Sequence, residues 1–165
     1  MISKTKTDLK YLISGLFCLL FVMSRYYMPD FFDNEWVYSI NPIRILNPSF
    51  LSKDFVAVEI NVFFLVYDTI VSPLYYIFDY LTATFICRVA IWIFQIWALS
   101  RLSKTLGITW WGFILLFVLW LNVEQTLVAG EWIIGSANAK PVSYGFVFLA
   151  LSSFLQNRLI WSGIF

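Results

Sequence analysis

The sequence predicts an all-α fold: a polytopic bundle of membrane-spanning helices with a large outer loop that contains interfacial amphipathic helices. Three observations point there. Of 165 residues, 61% are hydrophobic, 21% aromatic and only 13% charged, against roughly 45–50% apolar and about 25% charged in an ordinary soluble domain. Four stretches approach the roughly 20 mostly apolar residues that a bilayer crossing requires. The segment between the first two is too long for a simple connector and must have structure of its own.

The first span runs from about 9 to 28, after Lys4, Lys6 and Lys10, with an unbroken apolar centre from Leu16 to Val22. A cleaved signal peptide shares the basic start and short apolar core. An uncleaved anchor is favoured, because no small-x-small site follows and the next residues are Arg25, Tyr26 and Tyr27. The second span covers about 81–100 and closes on Arg101 and Lys104. The third, about 108–122, has Trp110 and Trp111 at one end and Trp120 at the other, as an aromatic belt would place them. The fourth covers about 141–155 and stops at Gln156, Asn157 and Arg158. A fifth begins near 159 and is cut off at Phe165, so the sequence reads as a fragment of a membrane domain.

Orientation follows from Lys and Arg near the span ends. With the N-terminus in the cytoplasm, Lys4, Lys6, Lys10, Arg101, Lys104 and Arg158 lie inside, Arg25, Arg44, Lys53 and Lys140 lie outside, and Arg88 falls within a span. Of the ten carboxylates only Asp8 is inside, so the outer face is acidic.

The outer loop, 29–80, divides in two. Its first half carries Pro29, Pro42 and Pro48, with Asn41 and Asn47 each before a proline, and is expected to be irregular and turn-rich. In the second half, Asn61, Asp68, Ser72 and Asp79 fall within about 40° of one another at helical periodicity. They would form one polar stripe on an apolar helix lying in the interface, divided in two by Pro73, with Glu59 off the stripe. The competing reading lets residues 55–71 cross the membrane. It would bury Glu59, Asn61 and Asp68 at up to roughly 3 kcal/mol each and would reverse the side of Arg101 and Lys104.

Composition removes most side-chain chemistry. The chain has no histidine, so imidazole catalysis and His-ligated zinc are excluded, and its net charge of +1 offers no nucleic-acid surface. Cys18 and Cys87 sit in apolar runs and read as small buried hydrophobes. Asp30, Asp33, Glu35 and Asp54 are the first candidates. A loop carboxylate at the mouth of a membrane cavity would take a proton from a hydroxyl or hold a divalent cation against a phosphate, and the plain alternative is a solvated loop charge. Arg88 shares a helix face with Trp92 and Gln95. Such a residue lines an interior groove or snorkels to lipid phosphates, and both readings stand. Lys140, just before Pro141, would hold an anionic phosphate or anchor the helix at the interface; Glu124 and Glu131 share its loop with Gly130, Gly135 and Ser136.

The order of parts resembles the N-terminal portion of GT-C class integral membrane glycosyltransferases. The residues that carry the likeness are Asn34-Glu35-Trp36-Val37-Tyr38, then Asn47-Pro48-Ser49-Phe50-Leu51-Ser52-Lys53-Asp54. Further on, Gly130-Glu131 and Ala139-Lys140-Pro141-Val142-Ser143-Tyr144-Gly145 lead into Phe148-Leu149-Ala150-Leu151. Asn34-Glu35 departs from the acidic pair common in that class, and the class has roughly two to three times as many spans as counted here. The resemblance implies a polyprenyl-phosphate-linked sugar as donor, taken from the outer face of a bacterial inner membrane. Asp54 or Glu35 would act as catalytic base, with Lys140, Arg88 and Glu131 binding substrate. A divalent cation is the one cofactor the carboxylates leave room for; no nucleotide or haem is expected, and no glycine-rich phosphate loop is present. Membrane lipid, a lipid-linked sugar and further spans of the same protein or partner helices are the expected partners. The alternative is a non-catalytic polytopic protein, a transporter portion or assembly subunit, in which Arg88, Gln95 and the carboxylates line a pathway or dock partners.

Overall fold

A computed structural model describes residues 2–28, 30, 35–53, 64–123 and 133–165. All regular structure among them is helical: α1 (Ile2–Tyr26), α2 (Glu35–Leu46), α3 (Leu65–Ile77), α4 (Tyr80–Thr105), α5 (Trp110–Leu121), α6 (Ala139–Leu155) and α7 (Leu159–Ile164). Two helices are long and apolar enough to cross a membrane, Asp8–Tyr26 within α1 and the whole of α4. The chain divides into two compact units.

The first unit comprises Met1–Tyr27, Trp92–Ile134 and Lys140–Phe165. Within it α1 packs on α5. Small and polar positions of α1 face inward: Tyr11, Ser14, Cys18 and Val22 are buried, while Leu12, Leu16, Phe17 and Leu20 are exposed. Tyr11 donates its hydroxyl to the Ile108 carbonyl, and Tyr26 donates to that of Leu121 at 3.4 Å. The ends of these helices are cut by local chemistry. Gly107, at φ 71°, terminates α4 with Gly107 N–H on the Lys104 carbonyl and Ile108 N–H on that of Ser103, and Asn157, at φ 56°, ends α6 through the same pair of bonds. Thr109 caps α5 by accepting the Gly112 N–H. Helix α5 has 12 residues, about 18 Å at 1.5 Å per residue, which falls short of a hydrocarbon core about 30 Å thick. The span expected over 108–122 is therefore a shorter apolar helix, because the Thr109 cap and the turn at Asn122 close it at both ends.

The second unit comprises Met28–Ile91 and Gly135–Ala139. Here the sequence expectations need two corrections. The first half of the 29–80 segment is helical over Glu35–Leu46, with Pro42 inside the helix. Among the described residues of that half, irregular structure lies at Asp30 and in the turns after Leu46, where the Asn47 side chain accepts the Ser49 N–H at 3.2 Å. Proline costs a helix one hydrogen bond, and packing of α2 on α3 with Glu35, Ser39, Ile40 and Pro42 buried outweighs that loss. Pro73 likewise lies inside α3 and does not divide it. The second correction concerns direction. Asp68, Val71 and Ser72 are the buried residues of α3, whereas Val66 and Tyr76 are 76% and 82% exposed. Asp68 and Ser72 face the protein and the apolar face points outward. Asp68 has a partner inside, the Asn41 side chain of α2, which is why the stripe turns that way. Asp79 is outside α3 altogether; its side chain accepts the Thr82 N–H at 3.1 Å, at the start of α4, and its carboxyl is held below the ordinary range by the Thr82 side-chain and backbone hydrogen bonds. Glu59, Asn61 and most of the alternative crossing at 55–71 lie outside the described residues.

Candidate functional site

The second unit has a polar interior organised around Arg88, on the buried side of α4 together with Ala83, Thr84, Cys87 and Ile91. Arg88 is 1% exposed and Glu35, the first residue of α2, is fully buried. The two form a bidentate pair: Arg88 Nε donates to Glu35 Oε1 at 2.9 Å, and Nη2 donates to Oε2. The remaining guanidinium edge donates to the main chain, Nη1 to the Met28 carbonyl at 2.9 Å and Nη2 to that of Asp30 at 3.0 Å. Glu35 Oε1 also accepts the Ala137 N–H at 2.5 Å. One ion pair thus ties together Met28, Asp30, the start of α2, the middle of α4 and Ala137. The arginine fork suits this role because its planar donors match a carboxylate and still reach carbonyls on the far edge.

A second set of hydrogen bonds runs alongside. Ser39 Oγ lies 2.7 Å from Tyr80 Oη, and Tyr80 Oη donates to the Trp36 carbonyl at 3.1 Å. Tyr75 and Thr84 hydroxyls are 3.1 Å apart. Tyr67 and Tyr75 on α3 are held above the ordinary phenol range by burial. Asp68, 2% exposed, is raised to about 6, with burial as the cause and the Asn41 hydrogen bond opposing it. Asn138 Nδ2 donates to Ser136 Oγ at 2.7 Å, both buried.

The positions singled out from sequence fall as follows. Glu35 and Arg88, expected as base and phosphate ligand, are each other's partner. In this arrangement the carboxylate is filled by Arg88 and a backbone N–H, and the guanidinium is filled by Glu35 and two carbonyls. Arg88 faces the interior rather than snorkelling. Lys140 lies half-buried in the first turn of α6, in the first unit. Asp54 and Glu131 lie outside the described residues, as do Asp33 and Glu124. Among the described residues, no three His, Cys, Asp or Glu side chains gather as a metal site. Gln95 is buried in the first unit, where its Nε2 donates to the Ile133 and Pro141 carbonyls at 2.6 and 2.9 Å. Sequence reasoning did not pair Glu35 with Arg88, although a lone charge inside a span demands a counter-ion. It also missed the hydroxyls of Ser39, Tyr80, Tyr75 and Thr84, which carry no pattern by themselves.

Among the described residues, fold and site together define an all-helical arrangement with two helices long and apolar enough to cross a membrane and a buried, internally neutralised ion pair. No protein family, curated protein or solved structure matches the chain.

Proposed function

We propose that the chain belongs to a polytopic integral membrane protein with a cytoplasmic N-terminus, in a bacterial inner membrane, and that the whole protein is a GT-C-like glycosyltransferase acting on the outer face. The observation that carries the membrane reading is the inverted polarity of the helices. Ser14, Asp68, Ser72, Thr84, Arg88 and Gln95 are buried while Leu12, Leu16, Val66, Ile70, Leu115 and Leu119 are exposed. Lipid is the solvent in which that arrangement is favourable, since each exposed Leu or Ile would otherwise forgo about 1.5–3 kcal/mol of burial.

The glycosyltransferase reading rests on the motif resemblance and gains support from the outer segment, whose helices α2 and α3 pack together on a polar interior. In this reading the donor is a sugar on polyprenyl phosphate. Asp54 takes the proton of an acceptor hydroxyl as its oxygen bonds the anomeric carbon with inversion. The bond from that carbon to the phosphate oxygen breaks, and polyprenyl phosphate leaves with Lys140 beside it. Glu35 and Arg88 then position the outer segment and do not touch substrate. Their mutual neutralisation also favours the second reading, a non-catalytic assembly subunit, in which the clasp only fixes a docking surface.

Sugar transfer to lipid-linked acceptors by membranes bearing Asp54→Asn or Glu35→Gln in the natural protein separates these. Loss of transfer in Asp54→Asn at normal protein abundance is expected, with Glu35→Gln lowering abundance and transfer together. Unchanged transfer in Asp54→Asn removes the proposed base.

A further inference from the structure

Four cations at one end of the first unit take no part in the clasp. Lys10 in α1, Arg101 and Lys104 near the end of α4, and Arg158 just after α6 are all exposed. Contacts between these helices bring them to one level. Lys104 Nζ lies 2.6 Å from Asp8 Oδ1 and sits over the Tyr11 ring, which joins the end of α4 to the start of α1. One residue on, Thr105 Oγ1 accepts from Gln156 Nε2 at 2.7 Å and lies 2.8 Å from Ser152 Oγ, which joins the same end of α4 to the end of α6. Asp8 is the one carboxylate among the described residues of this unit, and Lys104 pairs with it. Lys10, Arg101 and Arg158 have no ion-pair partner among the described residues. Arg101 shows how such a charge is presented: its guanidinium stacks over the Trp97 ring, 5.4 Å from the centroid, and that ring is itself exposed. Stacking uses the face of the fork and leaves its in-plane N–H donors open to oxygen acceptors. Close to these cations in the chain the surface is apolar, with Leu9, Leu106, Leu155, Leu159 and Ile160 exposed. Open cations at one level, with tryptophan and aliphatic surface beside them, complement a layer of anionic headgroups over acyl chains.

We propose that this end of the first unit is a binding surface for anionic phospholipid, with Lys10, Arg101 and Arg158 meeting lipid phosphates and Trp97 at the headgroup level. The planar fork of Arg101 matches phosphate oxygens, and all three side chains are open to them. The proposal rests on the membrane reading and is independent of glycosyl transfer.

The test reconstitutes the natural protein in dioleoyl phosphatidylcholine vesicles and reads, by electron spin resonance, the fraction of a spin-labelled lipid that the protein restricts. Wild type should hold labelled phosphatidylglycerol several-fold more strongly than labelled phosphatidylcholine. Arg101→Gln combined with Arg158→Gln should lose most of that preference, and Arg25→Gln, at the far end of α1, should keep it. Equal restriction of the two labels by wild type overturns the surface. So does an undiminished preference in the double variant, which would leave its cations serving only the helix dipoles of α4 and α6. An equal loss in Arg25→Gln overturns the assignment to this end. Should the double variant fail to insert, salt decides on wild type: the preference should collapse in about 1 M sodium chloride, where the Debye length is roughly 3 Å, and a preference unchanged by salt overturns the proposal. Absence of restricted lipid of either kind would instead refute the membrane reading on which the surface rests.

Discussion

At the scale of single residues, the Glu35–Arg88 pair dominates, because both members are sealed from solvent and each satisfies the other. Removing one partner leaves a buried charge without its counterpart, which typically costs about 3–5 kcal/mol. Arg88→Gln or Glu35→Gln should therefore lower the melting temperature of the detergent-purified protein by well over 5 °C or prevent its accumulation. Arg88→Lys should not rescue, since one ammonium cannot reach Glu35 and the Met28 and Asp30 carbonyls together. The double variant Glu35→Gln with Arg88→Gln should recover part of the loss. Asp68 predicts the opposite kind of effect. Its carboxyl is raised to about 6, so the folded protein holds a proton that the unfolded chain, at an ordinary value of about 3.9, has released. Stability then falls as pH rises from about 4 to about 6 and is level above that. Asp68→Asn keeps a hydrogen-bonding group for Asn41 and removes the ionisation. Melting curves at pH 4.5, 6 and 7.5 should show a smaller decline for the variant than for wild type.

At the scale of elements, the close approaches are specific enough to test. A Cβ added at Gly145 of α6 would stand 2.3 and 2.7 Å from ring carbons of Phe94 on α4. Phe94 has little room to move, since it also meets the rings of Trp97 and Phe146 at 6.1 and 5.1 Å. Gly145→Ala should destabilise by about 1–3 kcal/mol through overpacking, and adding Phe94→Ala should relieve the clash while opening a void. Gly15 of α1 is the control: a Cβ there meets Ile96 at 3.5 Å, an ordinary contact, so Gly15→Ala should be neutral or slightly stabilising. The paired melting measurements separate a packing role from general intolerance of substitution.

These elements also show how far the sequence could be read. The Gln156-Asn157-Arg158 stop is legible in the sequence as a helix end, because a polar break is a local property. Helix α4 covers the expected 81–100 and is long and apolar enough to cross a membrane, whereas α6, over the expected span 141–155, is a shorter apolar helix like α5. Prolines 42 and 73 misled, because a local cost of one hydrogen bond is readily outweighed by burial of a whole helix face. Of the expected four-residue stripe, Asp68 and Ser72 share a buried face of α3, Asp79 lies beyond the helix and Asn61 lies outside the described residues. Periodicity says which residues lie together and is silent on what they lie against.

At the scale of the whole molecule, the exposed apolar surface predicts behaviour in bulk. The protein should resist extraction by carbonate and need detergent to stay dispersed. Its orientation is testable with the background already silent, since Cys18 and Cys87 are buried. Ser52→Cys should react with a membrane-impermeant maleimide in intact cells. Arg101→Cys should react only after the membrane is opened, and the reverse pattern would invert the proposed topology. Composition by itself excluded histidine chemistry, because that depends only on which side chains are present, and the length and order of the apolar runs pointed to helices. The sequence also located the few charges worth attention. Only tertiary structure decided which of them are paired. Glu35 and Arg88 stand 53 positions apart in the chain, and nothing local couples them; their contact exists because the fold brings the start of α2 to the middle of α4, turning two candidate site residues into one internal clasp.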